Sequence, residues 1–230
     1  MGKHQALTSL FFDLDDTLVD AETAYAAAMR TIGIEPEDAS FLKARALVKA
    51  CLPPLQPVAR SRQLYFKKYL ELNGQFSAKR HFELAEGYEQ AVITHMEEQW
   101  KRLRRLDLFE KIKAKYPTIF IVTNETTRLQ LLKLFKFDPN SKIFSGILTS
   151  EECGFEKPRP EIYNLALQRA GCTAGECVMI GDSFVNDVQG AINCGIKSIQ
   201  TTEFTKPKEL GPIVISDLNE LPDTLKSLNL

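Results

Sequence analysis

Nine residues constrain this chain more than any others: Leu10-Phe11-Phe12-Asp13-Leu14-Asp15-Asp16-Thr17-Leu18. From Leu7 to Phe12 the sequence lacks a helical period and reads as a buried strand of a parallel sheet, apolar on both faces. The run ends in three aspartates, at the carboxyl edge where open α/β sheets bind their ligands. Carboxylates crowded on a strand end repel one another, and burying them unpaired is costly. Two readings fit. A bound cation would relieve the repulsion, and close-spaced oxygen ligands suit Mg2+ better than a softer metal. Alternatively, Asp-Asp-Thr caps the helix that follows.

A strand needs partners for its backbone, and the rest of the chain says where they lie. From Val19 to about Arg105 there is no convincing β run. That stretch reads as helices over Ala21–Thr31, Pro36–Cys51, Pro57–Asn73 and Ala78–Arg105, the last with a break near Gly87. From about Leu106 the texture alternates. Strands are expected over Thr118–Thr123, Lys142–Leu148, Cys177–Ile180, Ile196–Thr201 and Ile213–Ser216. Helices are expected over Glu125–Phe135, Pro160–Ala170, Phe184–Cys194 and Leu218–Leu228. The fold class is therefore α/β, a doubly wound parallel sheet with an inserted α-helical domain. Residues 1–18 and 106–230 would form the core, and 19–105 the helical insert.

Composition bounds the function. The 230 residues are 44% hydrophobic and 26% charged, with a net charge of -1, so no global field argues for nucleic acid or an anionic membrane. Neither a signal peptide nor a membrane-spanning stretch is evident, and Met1–Leu10, with Lys3 and His4, has too short an apolar run. Cys51, Cys153, Cys172, Cys177 and Cys194 form no CxxC pair or zinc pattern and read as free, mostly buried thiols of a cytoplasmic protein. Monomer and dimer both remain open.

Three further segments place polar groups at strand ends. Thr118-Ile-Phe-Ile-Val-Thr123-Asn124 ends in a hydroxyl and an amide ahead of a helix start, suited to an anion or simply to a helix cap. Cys177-Val-Met-Ile-Gly181-Asp182 ends in an aspartate, and Asp187 follows about one helical turn on, so both carboxylates could face a cation. Glu156-Lys157-Pro158-Arg159-Pro160 restrains a lysine between prolines, a compact charge suited to a phosphate oxygen. Together they would hold a phosphoryl group beside Mg2+, where positioning and charge stabilisation supply most of the catalysis.

At these residues the chain resembles the haloacid dehalogenase superfamily, in its Mg2+-dependent phosphatase branch, with a Rossmann-like core. Asp13-Leu14-Asp15-Asp16-Thr17, Thr123-Asn124, Lys157-Pro158 and Gly181-Asp182 through Asp187 look like the four family motifs in order. The resemblance implies that Asp13 is the nucleophile forming an aspartyl-phosphate and Asp15 the general acid and base. It implies Mg2+ held by Asp13, the Asp15 carbonyl and Asp182, with Asp187 in the same cluster. Thr123 and Asn124 would bind phosphoryl oxygens, and Lys157 would neutralise the nucleophile and the phosphoryl group. Asp16 is assigned no chemistry, since helix capping explains it.

The implied activity is hydrolysis of a small phosphorylated metabolite, such as a sugar phosphate, phosphoglycolate or a nucleoside monophosphate. A phosphomutase and a non-catalytic binding module are the alternatives. Serine hydrolysis is weaker, since no GxSxG elbow exists and Ser183 lacks a histidine partner. The helical insert would act as a cap that admits substrate and excludes water. Among its cations Lys43, Arg45, Arg60, Arg62, Lys67 and Lys68, one or two could reach a second anionic group on the substrate, the others being solvated. Tyr65, Phe66 and Tyr69 read as bundle core. Lys101-Arg102 and Arg104-Arg105 read as cations complementing a helix end.

Overall fold

The computed structural model describes residues 7–227. The central strand β1 (Ser9–Phe12) is followed by four helices, α1 (Ala21–Thr31), α2 (Ala39–Ala50), α3 (Arg62–Leu72) and α4 (Ala78–Arg102). Helix α5 (Arg105–Lys115) then leads into β2 (Thr118–Thr123), α6 (Thr127–Phe137), β3 (Gly146–Thr149), α7 (Ser150–Cys153) and α8 (Pro160–Ala170). The chain closes with β4 (Cys177–Gly181), a π-helical turn (Phe184–Gln189) running into α9 (Gly190–Asn193), β5 (Lys197–Thr201), β6 (Val214–Ile215) and α10 (Leu221–Ser227). Leu228, the end of the last helix read from the sequence, lies outside the described residues.

All six strands are parallel, in the order β3-β2-β1-β4-β5-β6. β1 is thus flanked on both sides, as its unbroken apolar run requires. Phe12 pairs in register with Ile121 on one side and Ile180 on the other, which sets Asp13 level with the ends of β2 and β4. Successive strand residues face opposite layers. Phe12 packs edge-on against Phe109 of α5, while Phe11 joins Phe120, Tyr163 and Met179 beneath α8. Trp100, near the end of α4, stacks on Phe109 and Phe137 with ring centroids 5.7 and 4.6 Å apart, so the long helix of the insert is rooted in the sheet's own core.

Several boundaries differ from the sequence reading, each for a local reason. Helix α4 runs unbroken through Gly87, where the missing side chain lets Ile32 approach. It stops at Arg102, because Arg104 adopts a left-handed backbone, and an unforeseen helix α5 follows. The stretch expected as one helix over Pro57–Asn73 is a 3-10 turn, Pro57–Arg60, separated from α3 by extended Ser61. The strand expected from Lys142 begins only at Gly146. Before it the Asp138 carboxylate accepts the backbone N–H groups of Lys142, Ile143 and Phe144 at 2.8, 2.8 and 2.9 Å, which holds a loop. Of the five free cysteines only Cys177 is buried, Cys51 is exposed and the other three are half-buried, so "mostly buried" is corrected. Tyr65 and Phe66 are buried around Phe41 as expected of bundle core. No helix among the described residues is long and apolar enough to cross a membrane.

Arg105 is a further correction. Rather than complementing a helix end it opens the next helix fully buried, with Nε donating to the Leu18 carbonyl at 3.0 Å and Nη2 to Glu203 Oε1 at 2.6 Å. Both crossings between sheet and helical insert, at Leu18 and at Arg105, are therefore tied at one guanidinium. Removing one partner of a buried pair strands the other charge. Arg105→Met is expected to lower unfolding free energy by about 3 kcal/mol in urea titration. A loss below about 0.5 kcal/mol, the range of a neutral surface change, would contradict this reading.

Candidate active site

The ends of β1, β2 and β4 form one edge, and a buried lysine organises it. Asp13 continues the ladder, its N–H donating to the Ile180 carbonyl at 2.9 Å. The Lys157 ammonium donates to Asp13 Oδ1 at 2.7 Å, to Asp187 Oδ1 at 2.6 Å and to the Val122 carbonyl at 2.8 Å, using all three of its protons. Burial opposes its charge, but the Asp13 and Asp187 carboxylates outweigh that and raise its pKa. Asn124 holds this lysine from the backbone. Its Oδ1 accepts the Lys157 N–H at 2.7 Å and its Nδ2 donates to the Lys157 carbonyl at 2.9 Å. The carbonyl oxygen and one of the two N–H protons of its side chain are thus occupied, which leaves the second proton and the backbone N–H to meet an anion.

Asp187 reaches the edge through the π-helical turn, in which the Asp187 and Val188 N–H groups both bond the Ser183 carbonyl. The wider turn brings Asp187 back over Gly181, whose added Cβ would collide with the Asp187 carboxyl, so only glycine fits there. Asp187 Oδ2 accepts the Ser183 N–H at 3.0 Å. One carboxylate oxygen each from Asp13, Asp182 and Asp187 lies within 4.8 Å of the others. Burial raises the Asp13 carboxyl to about 7, with Asp187 pushing the same way and Lys157 opposing. Burial likewise raises Asp182 to about 8, reinforced by Asp13 and Asp187. Three acidic oxygens this close, only partly neutralised by one lysine, are a hard-donor set that fits a divalent cation such as Mg2+.

Asp15 sits in a different setting. Its Oδ1 accepts from Lys133 Nζ at 2.6 Å, and its Oδ2 from the Tyr25 hydroxyl at 2.6 Å and Gln130 Nε2 at 3.2 Å. Burial pushes its carboxyl up, but Lys133 above all, then Tyr25 and Gln130, bring the pKa down overall. Gln130 also donates to the Thr123 hydroxyl at 3.1 Å, linking the ends of β1 and β2. Lys133 and Gln130 were not foreseen. Both are fully buried on α6, and the available signal was a polar pair three residues apart on the helix face that carries Phe137. Tyr25 comes from α1 of the insert and was missed as well. Asp16 caps α1 as expected, accepting the Ala21 and Glu22 N–H groups at 2.9 and 3.0 Å. All seven residues singled out at the strand ends, Asp13, Asp15, Thr123, Asn124, Lys157, Asp182 and Asp187, line one cavity of about 600 Å³, roofed by α1, α2 and α3.

A model of the haloacid dehalogenase-like hydrolases matches residues 8–195. The glyceraldehyde 3-phosphate phosphatase of Methanothermobacter thermautotrophicus is 27% identical, over 95% of this chain and all of its own length. The ribulose-1,5-bisphosphate 5-phosphatase of Halopiger xanaduensis is 31% identical, over 84% of this chain and 83% of its own. Among solved structures, the putative hydrolase YfnB of Bacillus subtilis, bound to magnesium, superposes with a TM-score of 0.70 at 23% identity, covering 96% of this chain and all of that one.

The raised carboxyls of Asp13 and Asp182 carry a pH signature. Their ordinary value is 3.8, so between about pH 4 and pH 8 the folded state holds protons that the unfolded chain has lost. Stability should therefore fall as pH rises through that window, and a cation should restore it. Without divalent cation the melting temperature is expected to drop from about pH 5 to about pH 8, and added Mg2+ to raise it more at the higher pH. A flat profile, or a Mg2+ shift equal at both pH values, would contradict the assignment of these carboxyls.

Proposed function

The chain belongs to the haloacid dehalogenase-like hydrolases, and on that footing we propose that it is a Mg2+-dependent phosphatase of small phosphorylated metabolites that works through an aspartyl-phosphate. The observation that carries this reading is the Lys157 ammonium bridging Asp13 and Asp187 beside a third carboxylate, Asp182. Such an arrangement offsets part of the repulsion among the carboxylates and leaves their remaining oxygens for a cation and for the cavity. The curated relatives named above are both phosphatases of small sugar phosphates, which supports the substrate class.

In this reading Asp13 Oδ2, which takes only a long 3.5 Å contact from the Thr17 hydroxyl, attacks phosphorus. Lys157 neutralises the nucleophile and the incoming phosphoryl group. Thr123 and the Asn124 backbone N–H receive phosphoryl oxygens, while the Asn124 side chain keeps Lys157 in place. Asp15 serves the leaving oxygen as acid, then water as base, once the Lys133 and Tyr25 contacts that hold it ionised here are released. Asp13, Asp182, Asp187 and the Asp15 carbonyl would hold Mg2+, which screens the negative charge of the phosphoryl oxygens. Residues 19–105 act as the cap that closes over the cavity and excludes water.

The test is phosphate release from a panel of phosphorylated metabolites and p-nitrophenyl phosphate, with Mg2+ and then with EDTA. Release should require the metal and fall by about four orders of magnitude or more in Asp13→Asn, a loss typical of removing a nucleophile. The variant's melting curve should stay cooperative. Undiminished release from folded Asp13→Asn, or release unaffected by EDTA, would overturn the proposal.

A further inference from the structure

The cap-side wall of the cavity carries more positive charge than the protein itself neutralises. Arg60 is satisfied: its Nε and Nη2 form a two-pronged pair with Glu156 of the core at 2.9 and 3.2 Å. Arg62 differs. Its Nε donates to the Tyr88 hydroxyl at 3.2 Å and its Nη1 to the Arg60 carbonyl at 3.0 Å. Its guanidinium lies over the rings of Tyr25 and Tyr65, 5.1 and 5.6 Å from their centroids. The nearest carboxylate oxygen, on Glu125, is 3.8 Å away, beyond hydrogen-bond reach, and Nη2 has no acceptor among the described residues. Arg45, exposed on α2, lines the same cavity and pairs with no carboxylate among the described residues.

Two further observations bear on this wall. Lys49 has its pKa pushed down, first by partial burial and then by the guanidinium groups of Arg45, Arg60 and Arg62, with Glu156 opposing. The three guanidinium groups therefore lie close enough to Lys49 to oppose its charge. Glu22 and Glu37, the remaining carboxylates on the cap side of the lining, are exposed and pair with none of them. Arg62 is also held still before any ligand arrives, by two hydrogen bonds and two ring faces, which reduces the entropic cost of binding. Tyr25 connects it to the chemistry, since the ring beneath Arg62 carries the hydroxyl bonded to Asp15.

We propose that Arg62 and Arg45 form a second-anion subsite, so that the substrates are phosphorylated metabolites carrying a further carboxylate or phosphate group. This deepens the phosphatase reading and rests on it. One end of the substrate is the phosphoryl group at Asp13. The other is an anion received by the open donors of the cap arginines, with a short carbon backbone passing Tyr25. A guanidinium is suited to either kind of anion through paired N–H donors.

The test compares matched substrates that differ in the second anion: 3-phosphoglycerate against glycerol 3-phosphate, and fructose 1,6-bisphosphate against fructose 6-phosphate. The wild-type kcat/KM should favour the doubly anionic member of at least one pair by ~10-fold or more, as expected for charge-assisted hydrogen bonds. That ratio should fall to about one in Arg62→Gln, recover in part in Arg62→Lys, and fall partway in Arg45→Gln, whose exposed position leaves folding intact. The pair with the larger ratio separates a carboxylate from a phosphate as the natural group. A wild-type ratio near one for both pairs would overturn the inference, as would a loss in Arg62→Gln that is equal for both members of a pair. Failure of the phosphatase reading itself is a different result, namely no release from any compound, p-nitrophenyl phosphate included. In that case dissociation constants from calorimetry on the same pairs and variants carry the same comparison, with the same ratios expected and the same outcomes overturning it.

Discussion

The site depends on one ammonium group placed among carboxylates that would otherwise repel one another. Lys157 touches Asp13 and Asp187 at 2.7 and 2.6 Å, and its third proton goes to the Val122 carbonyl at the end of the neighbouring strand. At these separations, in a buried setting, attraction between ammonium and carboxylate is strong, and so is the repulsion that appears when the lysine is absent. Much of the surrounding architecture serves to hold that nitrogen. Asn124 fixes its backbone from both sides, the π-helical turn returns Asp187 to it, and Gly181 leaves room for the carboxyl. The lysine neutralises only part of the cluster. Burial first, and then the carboxylate repulsion that the lysine leaves in place, raise the pKa values of Asp13 and Asp182, and a cation would relieve that repulsion.

The sheet order explains why these groups meet at all. After β1 the chain builds outward through β2 and β3, then crosses back to add β4, β5 and β6 on the other side. The crevice between these two directions opens at the end of β1, so residues separated by more than a hundred positions converge there. The helical insert leaves from that same strand end. It stays coupled to the chemistry through Tyr25, bonded to Asp15, and through Arg105, which ties the two crossings together. The core and a roof that shares hydrogen bonds with its carboxylate edge enclose one cavity between them.

What could be read from the sequence follows from this logic. A buried strand that stops abruptly at a charged residue leaves a clear trace, so the aspartates after β1 and β4 and the hydroxyl after β2 were visible, and so was the parallel sheet. Lys157 stood out because two prolines bracket its loop. Residues that reach the edge from the middle of a helix leave almost no trace. Gln130 and Lys133 look like any polar residues on an amphipathic helix until the fold turns them inward. Where side chains bond the backbone, local propensity also misleads: Asp138 gathers three N–H groups and turns an apparent strand into a loop. The break at Arg104 depends on a left-handed backbone at a residue type with no preference for it, and the burial of Arg105 on a carbonyl 87 residues earlier in the chain. The side chain of Asn124 was expected to meet an anion. Its Oδ1 and one of its two N–H protons bracket the Lys157 backbone as well, an arrangement no spacing rule predicts.

At this edge Asp13 is proposed as the nucleophile, a carboxylate oxygen that bonds to phosphorus. That role is tested most directly by quenching the protein in acid during turnover and locating the covalent phosphoryl group by mass spectrometry. A phosphorylated peptide containing Asp13 is expected, formed only with Mg2+ and absent from Asp13→Asn. A phosphoryl group found on another residue, or steady turnover with none found on the Asp13 peptide even when the intermediate is trapped at its maximum, would contradict that role.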